Sequence, residues 1–163
     1  SERQPNIVMV MFGANDAQDL KNLDGKTVSH YGDKDWNENY GKNVADFLEI
    51  LLQRNITVFW VGNPIARDDY YKKRMQNLNY VFEEETKKYK NAAFIPTWDV
   101  LKSVNGRYSD YLPDAAGKNR LARASDGIHT TPFGAEILIK AVIKKLQEKV
   151  NLEFREIGEE KNL

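Results

Sequence analysis

Two short runs of apolar residues constrain the fold of this chain more than any other feature. Residues 7–12 read Ile-Val-Met-Val-Met-Phe, and residues 56–61 read Ile-Thr-Val-Phe-Trp-Val. Because neither run alternates regularly between apolar and polar positions, each is typical of a strand covered on both faces in a parallel sheet. A shorter run at residues 92–95 predicts a third strand.

Amphipathic helices are predicted between and after these strands. Over residues 36–54, 68–89 and 132–150, apolar residues recur every three or four positions, so each segment has one apolar face. The alternation of strand and helix is the pattern of an α/β fold with a parallel, doubly wound sheet. A chain of 163 residues fits one domain, which we assign to residues 1–150, followed by a charged tail at 151–163.

Two segments have no periodic pattern. Residues 17–35 are polar and contain several glycines, which predicts a loop. Residues 102–124 predict a second, longer loop. Because long loops inside compact domains are often functional, we predict that this one is a flap that faces the substrate.

Charge and cysteine content exclude several classes of function. Lys and Arg number 24 in total, and so do Asp and Glu. No basic field therefore points to nucleic acid, and no polybasic helix points to a membrane surface. The absence of cysteine excludes disulfides, thiol nucleophiles and cysteine-based zinc sites. We expect a small or uncharged substrate.

An Asp-x-x-His motif is the first candidate for catalysis. Asp126 and His129 lie just before a predicted helix, in which Thr131 is suited to the N-cap and Pro132 to the first position. An Asp at this spacing can accept the imidazole Nδ1–H and leave Nε2 free to take a proton from a nucleophile. The alternative is a capped loop with a polar surface histidine.

A Gly-x-Asn-Asp motif follows the first predicted strand. Gly13, Asn15 and Asp16 stand where open α/β sheets place groups that contact ligands, at the carboxyl end of a parallel strand. A plain turn is the alternative, since Asn and Asp are common in turns.

Together, these two motifs resemble the third and fifth sequence blocks of the SGNH (GDSL) hydrolases. The resemblance includes residues 58–64 and 106–108 and spans nearly all of residues 6–147. It looks most like a bacterial, extracytoplasmic branch of that family. It implies a three-layer α/β/α sandwich on a parallel, flavodoxin-like sheet, and ester hydrolysis or acyl transfer through a serine nucleophile, with no cofactor and no metal. A periplasmic or extracellular location and an O-acetylated glycan substrate are further expectations from the resemblance.

The resemblance also implies a role for each matching residue. His129 would be the general base and then the general acid, and Asp126 would orient it. Asn15 would donate its side-chain amide to the oxyanion, which can stabilise a transition state by about 3 kcal/mol. Gly13 would allow a close backbone approach, and Asp16 would brace the loop.

The serine nucleophile of that family has no match in this sequence. The Gly-Asp-Ser turn of the first block and the glycine of the second block are both missing. None of the five serines follows an apolar strand: they are Ser1, Ser29, Ser103, Ser109 and Ser125. If the sheet began with residues 7–12, this strand would lie at an exposed edge, although its apolar composition is typical of a strand inside a sheet. We therefore expect that one or two N-terminal strands, with the nucleophile turn, were cleaved, left out or contributed by another chain.

Two other functions remain open. The chain would be a non-catalytic binding domain if Asn15 and His129 only line a pocket. It would be a metal-dependent phosphoesterase if a metal ion were bound by Asn15, Asp16, Asp126 and His129. The sequence has only two histidines that could serve as metal ligands. The partners we expect are a small-molecule or glycan ester and the fragment or second chain that completes the sheet, but neither nucleic acid nor an inserted membrane.

Overall fold

The computed structural model describes residues 5–53 and 56–149, which form seven strands and three helices. The strands are β1 (Ile7–Val10), β2 (Leu20–Lys21), β3 (Thr27–Ser29), β4 (Thr57–Val61), β5 (Ala92–Ile95), β6 (Tyr111–Pro113) and β7 (Asn119–Leu121), and the helices are α1 (Trp36–Leu52), α2 (Asp69–Thr86) and α3 (Pro132–Lys149). The predicted tail at 151–163 lies outside the described residues. None of the described helices is long and apolar enough to cross a membrane.

Three parallel strands form the central sheet in the order β1-β4-β5. The connection through α1 joins β1 to β4, and the connection through α2 joins β4 to β5, so both advance in the same direction across the sheet. Crossovers of the usual right hand then place both helices on one face, where α1 and α2 pack together. Because α3 covers the opposite face, the predicted α/β/α sandwich is confirmed.

The side chains of β4 alternate between two cores, which explains why this strand is apolar throughout. Val58 and Trp60 face α1 and α2, where Trp60 stacks on Phe82 with ring centroids 4.6 Å apart. Phe59 and Val61 face α3. On that side they pack with Ile95, Leu138, Val142 and Leu146. Burial of each large apolar side chain stabilises the fold by about 2 kcal/mol.

Both predicted loops contain a short antiparallel hairpin. β2 pairs with β3 inside residues 17–35, and β6 pairs with β7 inside residues 102–124. The sequence did not predict these strands because two or three residues are too few for an alternating pattern. Leu112 and Ala122 of the second hairpin are buried against α3. The segment predicted as a flap is therefore partly anchored to the core.

Strand β1 is less covered than the sequence predicted. Among the described residues it pairs only with β4, and the apolar side chains of Met9, Met11 and Phe12 are 51%, 50% and 49% exposed. The core beneath α3 lies mainly on β4 and β5. Within the described part of the chain, one edge of the sheet and part of one face therefore remain open beside β1.

Candidate active site

Three segments meet near the carboxyl edge of the sheet. The turn after β1, the turn after β4 and the loop that leads into α3 all line a cavity of about 250 Å³. Each segment contributes to the wall of the cavity: Ala14 comes from the first, Asn63 from the second and His129 from the third. The fold therefore brings His129 and the turn of the Gly-x-Asn-Asp motif, through Ala14, to one cavity.

Helix α3 begins where the sequence predicted. Pro132 is its first residue, a position that needs no backbone N–H. The hydroxyl of Thr131 accepts a hydrogen bond from the backbone of Gly134 at 3.2 Å and donates one to the carbonyl of Leu121 at 2.6 Å. The cap thus fixes the end of the loop that carries His129.

Asp126 and His129 form a close pair. The imidazole Nδ1 lies 2.6 Å from Asp126 Oδ2, while Oδ1 accepts hydrogen bonds from the backbone N–H groups of Ile128 at 2.8 Å and His129 at 2.9 Å. The bond with the imidazole, followed by the two backbone bonds, holds the pKa of Asp126 well below its usual range. An ionised Asp126 keeps the proton of His129 on Nδ1, so Nε2 is left as an acceptor on a side chain that is 79% exposed.

Two arginines hold the loop that carries this pair. Arg67 donates from its backbone to the carbonyl of Gly127 at 3.1 Å and from its guanidinium to the carbonyl of Ser125 at 2.6 Å. Arg123 donates from its guanidinium to the carbonyls of Ile128 at 2.7 Å and Gly127 at 3.3 Å. Gly127 has a φ of 73°, and a Cβ there would lie 2.6 Å from Arg67. The orientation of His129 therefore depends on residues that the sequence motif did not include.

The Gly-x-Asn-Asp motif forms a tight turn against α1 and α2. Gly13 has a φ of 98°, and a Cβ there would lie 2.7 Å from the ring of Phe82. The carboxylate of Asp16 accepts a hydrogen bond from the hydroxyl of Tyr40 at 2.7 Å. Burial and this bond raise the pKa of Tyr40 above its ordinary value. Asp16 is thus positioned as a brace for the turn.

Asn15 does not contact the Asp126–His129 pair. Its side chain is exposed, and it is not among the residues that line the cavity, although its neighbour Ala14 is. The oxyanion role of Asn15 therefore remains a prediction.

Asn63 is a residue of this edge that the motifs did not single out. The side chain of Asn79 on α2 binds both polar groups of the Asn63 backbone: Oδ1 accepts from its N–H at 2.7 Å, and Nδ2 donates to its carbonyl at 2.8 Å. Asn63 and His129 both line the cavity. Its signals in the sequence were its place at the end of an apolar run, before Pro64, and its position within residues 58–64 of the resemblance.

Replacement of Asn79 by leucine is expected to lower the free energy of unfolding by about 2–4 kcal/mol. The change leaves a buried N–H and a buried carbonyl of Asn63 without partners, and each such group costs about 1–3 kcal/mol. Urea denaturation followed by tryptophan fluorescence measures the loss. Asn77→Leu is the matched control on the same helix, since among the residues that the structure describes the Asn77 side chain bonds only that of Asn37. Equal losses in both variants would contradict the role assigned to Asn79.

No serine hydroxyl is hydrogen-bonded to His129 within residues 5–53 and 56–149. Ser29, Ser103 and Ser109 direct their hydroxyls to other groups, and Ser125 is held through its carbonyl. In the same part of the chain, no three His, Asp or Glu side chains are grouped so that they could hold a metal ion. The described residues thus bring a histidine and a carboxylate together but place no serine hydroxyl within hydrogen-bond distance of that histidine.

Comparisons with known proteins agree with this fold. The family described as Protein of unknown function (DUF459) matches residues 1–145. No curated protein matches the sequence. A solved structure from Streptococcus pneumonia that is named for platelet activating factor has a TM-score of 0.58 and 16% identity, and the match covers 86% of this chain and 59% of that protein.

Two further solved structures extend the comparison. A GDSL-like lipase from Bacteroides thetaiotaomicron has a TM-score of 0.54 and 19% identity over 89% of this chain and 63% of the lipase. An acetyl xylan esterase from the rumen bacterium Butyrivibrio proteoclasticus has a TM-score of 0.52 and 16% identity over 91% of this chain and 38% of the esterase. At such identities the likeness shows the fold alone, which is of the SGNH type. The chain spans less than two thirds of the length of these proteins.

Proposed function

We propose that this chain, which belongs to the DUF459 family, is part of a serine-dependent ester hydrolase or O-acyltransferase of the SGNH type. The observation that carries the proposal is the Asp126–His129 pair, with Nδ1 and Oδ2 2.6 Å apart and Nε2 directed away from the carboxylate. This arrangement is suited to general-base catalysis, since the carboxylate fixes the tautomer and stabilises the imidazolium that forms.

The proposed reaction proceeds in two steps. Nε2 of His129 takes the proton of a serine hydroxyl as the serine oxygen attacks the ester carbonyl, and the imidazolium then gives that proton to the departing alcohol. Water, or a carbohydrate hydroxyl in a transferase, attacks the acyl-serine in the second step, and His129 again accepts and returns one proton. Asn15 is the proposed oxyanion donor, because its amide can donate without titrating.

The serine is proposed to come from a segment that pairs with the open edge of β1. That edge has no partner among the described residues, and the exposed side chains of Met9, Met11 and Phe12 beside it are apolar. Met11 and Phe12 also line the cavity that contains His129. A strand added at this edge would cover apolar surface and end close to the imidazole.

The proposed substrate is an ester with a small acyl group. A cavity of about 250 Å³ beside His129 supports a short acyl chain. An acetyl group on a glycan, and a periplasmic or extracellular location, are the more specific forms of the proposal and rest on the resemblance to the extracytoplasmic SGNH branch.

Labelling with a fluorophosphonate, which reacts with activated serines, tests the proposal. The full-length protein is treated, and intact-mass spectrometry with peptide mapping locates the adduct. We expect one adduct, on a serine outside residues 5–149, and we expect its rate of formation to fall at least about 100-fold in His129→Ala. An adduct on Ser29, Ser103, Ser109 or Ser125 would contradict the proposed origin of the nucleophile.

A non-catalytic binding domain is the second candidate. It is favoured by one observation, that no serine hydroxyl in the described part of the chain is bonded to His129. The same labelling experiment decides between the two functions, because a full-length protein that forms no adduct would have a pocket but no activated serine.

A further inference from the structure

Arg74 of α2 is held in place by groups that carry no negative charge. Its Nε donates a hydrogen bond to the carbonyl of Ala17 at 3.0 Å. The central carbon of its guanidinium lies 4.2 Å from the centre of the Tyr31 ring and 3.7 Å from the centre of the Tyr70 ring. A flexible side chain that is already ordered loses less conformational entropy when it binds a ligand. The guanidinium of Arg74 is therefore preorganised.

The outer edge of this guanidinium has donors without partners. Among the residues that the structure describes, Nε is the only nitrogen of the Arg74 side chain that makes a hydrogen bond. The buried side-chain atoms that lack a partner in this part of the chain belong to other residues, so Nη1 and Nη2 of Arg74 are open to solvent. These two nitrogens share the edge opposite Nε, and each directs one N–H group outward from it in parallel.

Acidic residues in the two segments around Arg74 bond to other groups. Asp68 accepts hydrogen bonds from backbone N–H groups at the start of α2, and Asp69 pairs with the lysine three residues later. Asp19 bonds the imidazole of His30 and a backbone N–H. Within the described part of the chain, Arg74 forms no ion pair. Its charge is therefore available to an anionic ligand.

Arg74 lies next to the wall of the cavity that contains His129. Met75, the following residue of α2, lines that cavity. So does Ala14, three residues before the Ala17 carbonyl that Arg74 binds. Arg74 itself is not among the lining residues. A substrate whose acyl group occupies the cavity therefore meets Arg74 with its alcohol part.

We infer that Arg74 binds a carboxylate on the alcohol part of the substrate. Two parallel N–H groups on one guanidinium edge match the two oxygens of a carboxylate, and one positive charge matches its one negative charge. The ring of Tyr70, which contacts the guanidinium, is 57% exposed and offers an apolar surface to the group that carries the carboxylate. The ligand class is an alcohol with a carboxylate and an apolar face, such as an acidic sugar.

This inference deepens the proposed function, and the assignment of the carboxylate to the alcohol part rests on it. Binding at Arg74 needs no turnover, so the two ideas can fail separately. A protein that binds the acid through Arg74 but forms no fluorophosphonate adduct loses only the proposed function. A protein that forms the adduct but does not bind the acid loses only this inference.

Titration of the isotope-labelled full-length protein with glucuronate, followed by NMR, is the direct test. Glucuronamide is the neutral ligand of the same shape. The side-chain Nε–H signal of Arg74 and the backbone N–H signal of Tyr70 report binding. We expect both signals to shift saturably with glucuronate, and we expect glucuronamide to bind at least about tenfold more weakly, because it has no charge to pair with the guanidinium.

Variants of Arg74 separate recognition by the guanidinium edge from a general effect of charge. Arg74→Gln should weaken glucuronate binding at least about tenfold. Arg74→Lys keeps the charge but has no pair of parallel N–H groups, so it should bind about three- to tenfold more weakly than the wild type. Arg74→Lys also keeps the test decisive if Arg74→Gln does not fold.

Arg120→Gln is the matched control. The guanidinium of Arg120 also packs over an aromatic ring, 4.4 Å from the centroid of Phe133, but on the hairpin beside α3. Its replacement should leave the affinity for glucuronate within about twofold of the wild type. Absence of a saturable shift, equal affinity for glucuronamide, or unchanged affinity in either Arg74 variant would each overturn the inference.

Discussion

Replacement of His129 by alanine is expected to lower kcat/KM for a short ester such as p-nitrophenyl acetate by roughly 10⁴- to 10⁶-fold in the full-length protein. The variant loses the only proposed acceptor for the serine proton, and Asp126 has no ring left to orient. The loop itself should survive, since the bonds from Arg67 and Arg123 go to backbone carbonyls and not to the imidazole. Steady-state kinetics measures the loss, and circular dichroism checks the fold.

His30→Ala is a close control for this prediction. His30 is the second histidine of the chain, and its Nδ1 lies 2.7 Å from Asp19 Oδ2, almost the same geometry as in the proposed catalytic pair. His30 is exposed and does not line the cavity that contains His129. Its replacement should change kcat/KM less than about twofold. A large loss of activity in His30→Ala, with activity retained in His129→Ala, would show that Asp126 and His129 are not the catalytic pair.

Replacement of Gly134 by alanine should lower the free energy of unfolding by about 3 kcal/mol, the largest stability effect we expect from any single methyl group. Gly134 lies in the first turn of α3, and an added Cβ would overlap the carbonyl oxygen of Ala122 and lie 2.9 Å from its carbon. The contact is with backbone, so no side chain can rotate away. Relief requires α3 to move from the hairpin, which also displaces the cap at Thr131. Urea denaturation with tryptophan fluorescence measures the change.

Gly117→Ala separates this steric effect from the general cost of replacing glycine. Gly117 has a φ of 77°, yet an added Cβ would meet nothing within 4 Å. Gly117→Ala should lower the free energy of unfolding by only about 1–2 kcal/mol, because the left-handed conformation is its only source of strain. Gly134 is helical, so in open space alanine would stabilise that position by up to about 1 kcal/mol. A variant Gly134→Ala as stable as the wild type would show that the helix and hairpin can separate freely.

The layers of the fold were predictable because long elements carry a repeated pattern. The apolar stripe of α1 includes Trp36, Tyr40, Val44 and Leu48, and all four are buried. On the second predicted helix the spacing places Tyr71 on the apolar stripe, but its side chain is 39% exposed. The two hairpins were not predictable, since pairing of a few residues depends on neighbours that are distant in the sequence.

The candidate site was predictable only where its contacts are local. Asp126 and His129 are three residues apart, so one loop conformation joins them, and spacing alone indicates the contact. Asn63 and Asn79 are joined across sixteen residues, through a strand end and a helix. Arg123 is not distinguished in the sequence from other arginines, and only the structure shows that it is buried and bonded to the carbonyls of the His129 loop. Such features arise from packing, which no local pattern encodes.

The short separation between Asp126 and His129 affects how the protein should lose activity. Closing so small a loop costs little chain entropy, so the pair needs only its own loop and the bonds from Arg67 and Arg123 that hold that loop. A nucleophile on another part of the sheet, by contrast, reaches His129 only while the whole sheet is intact. In mild denaturant, inactivation should therefore precede the loss of the carboxylate–imidazole bond. Residual activity would then report the integrity of the sheet more sensitively than the carboxylate–imidazole bond does.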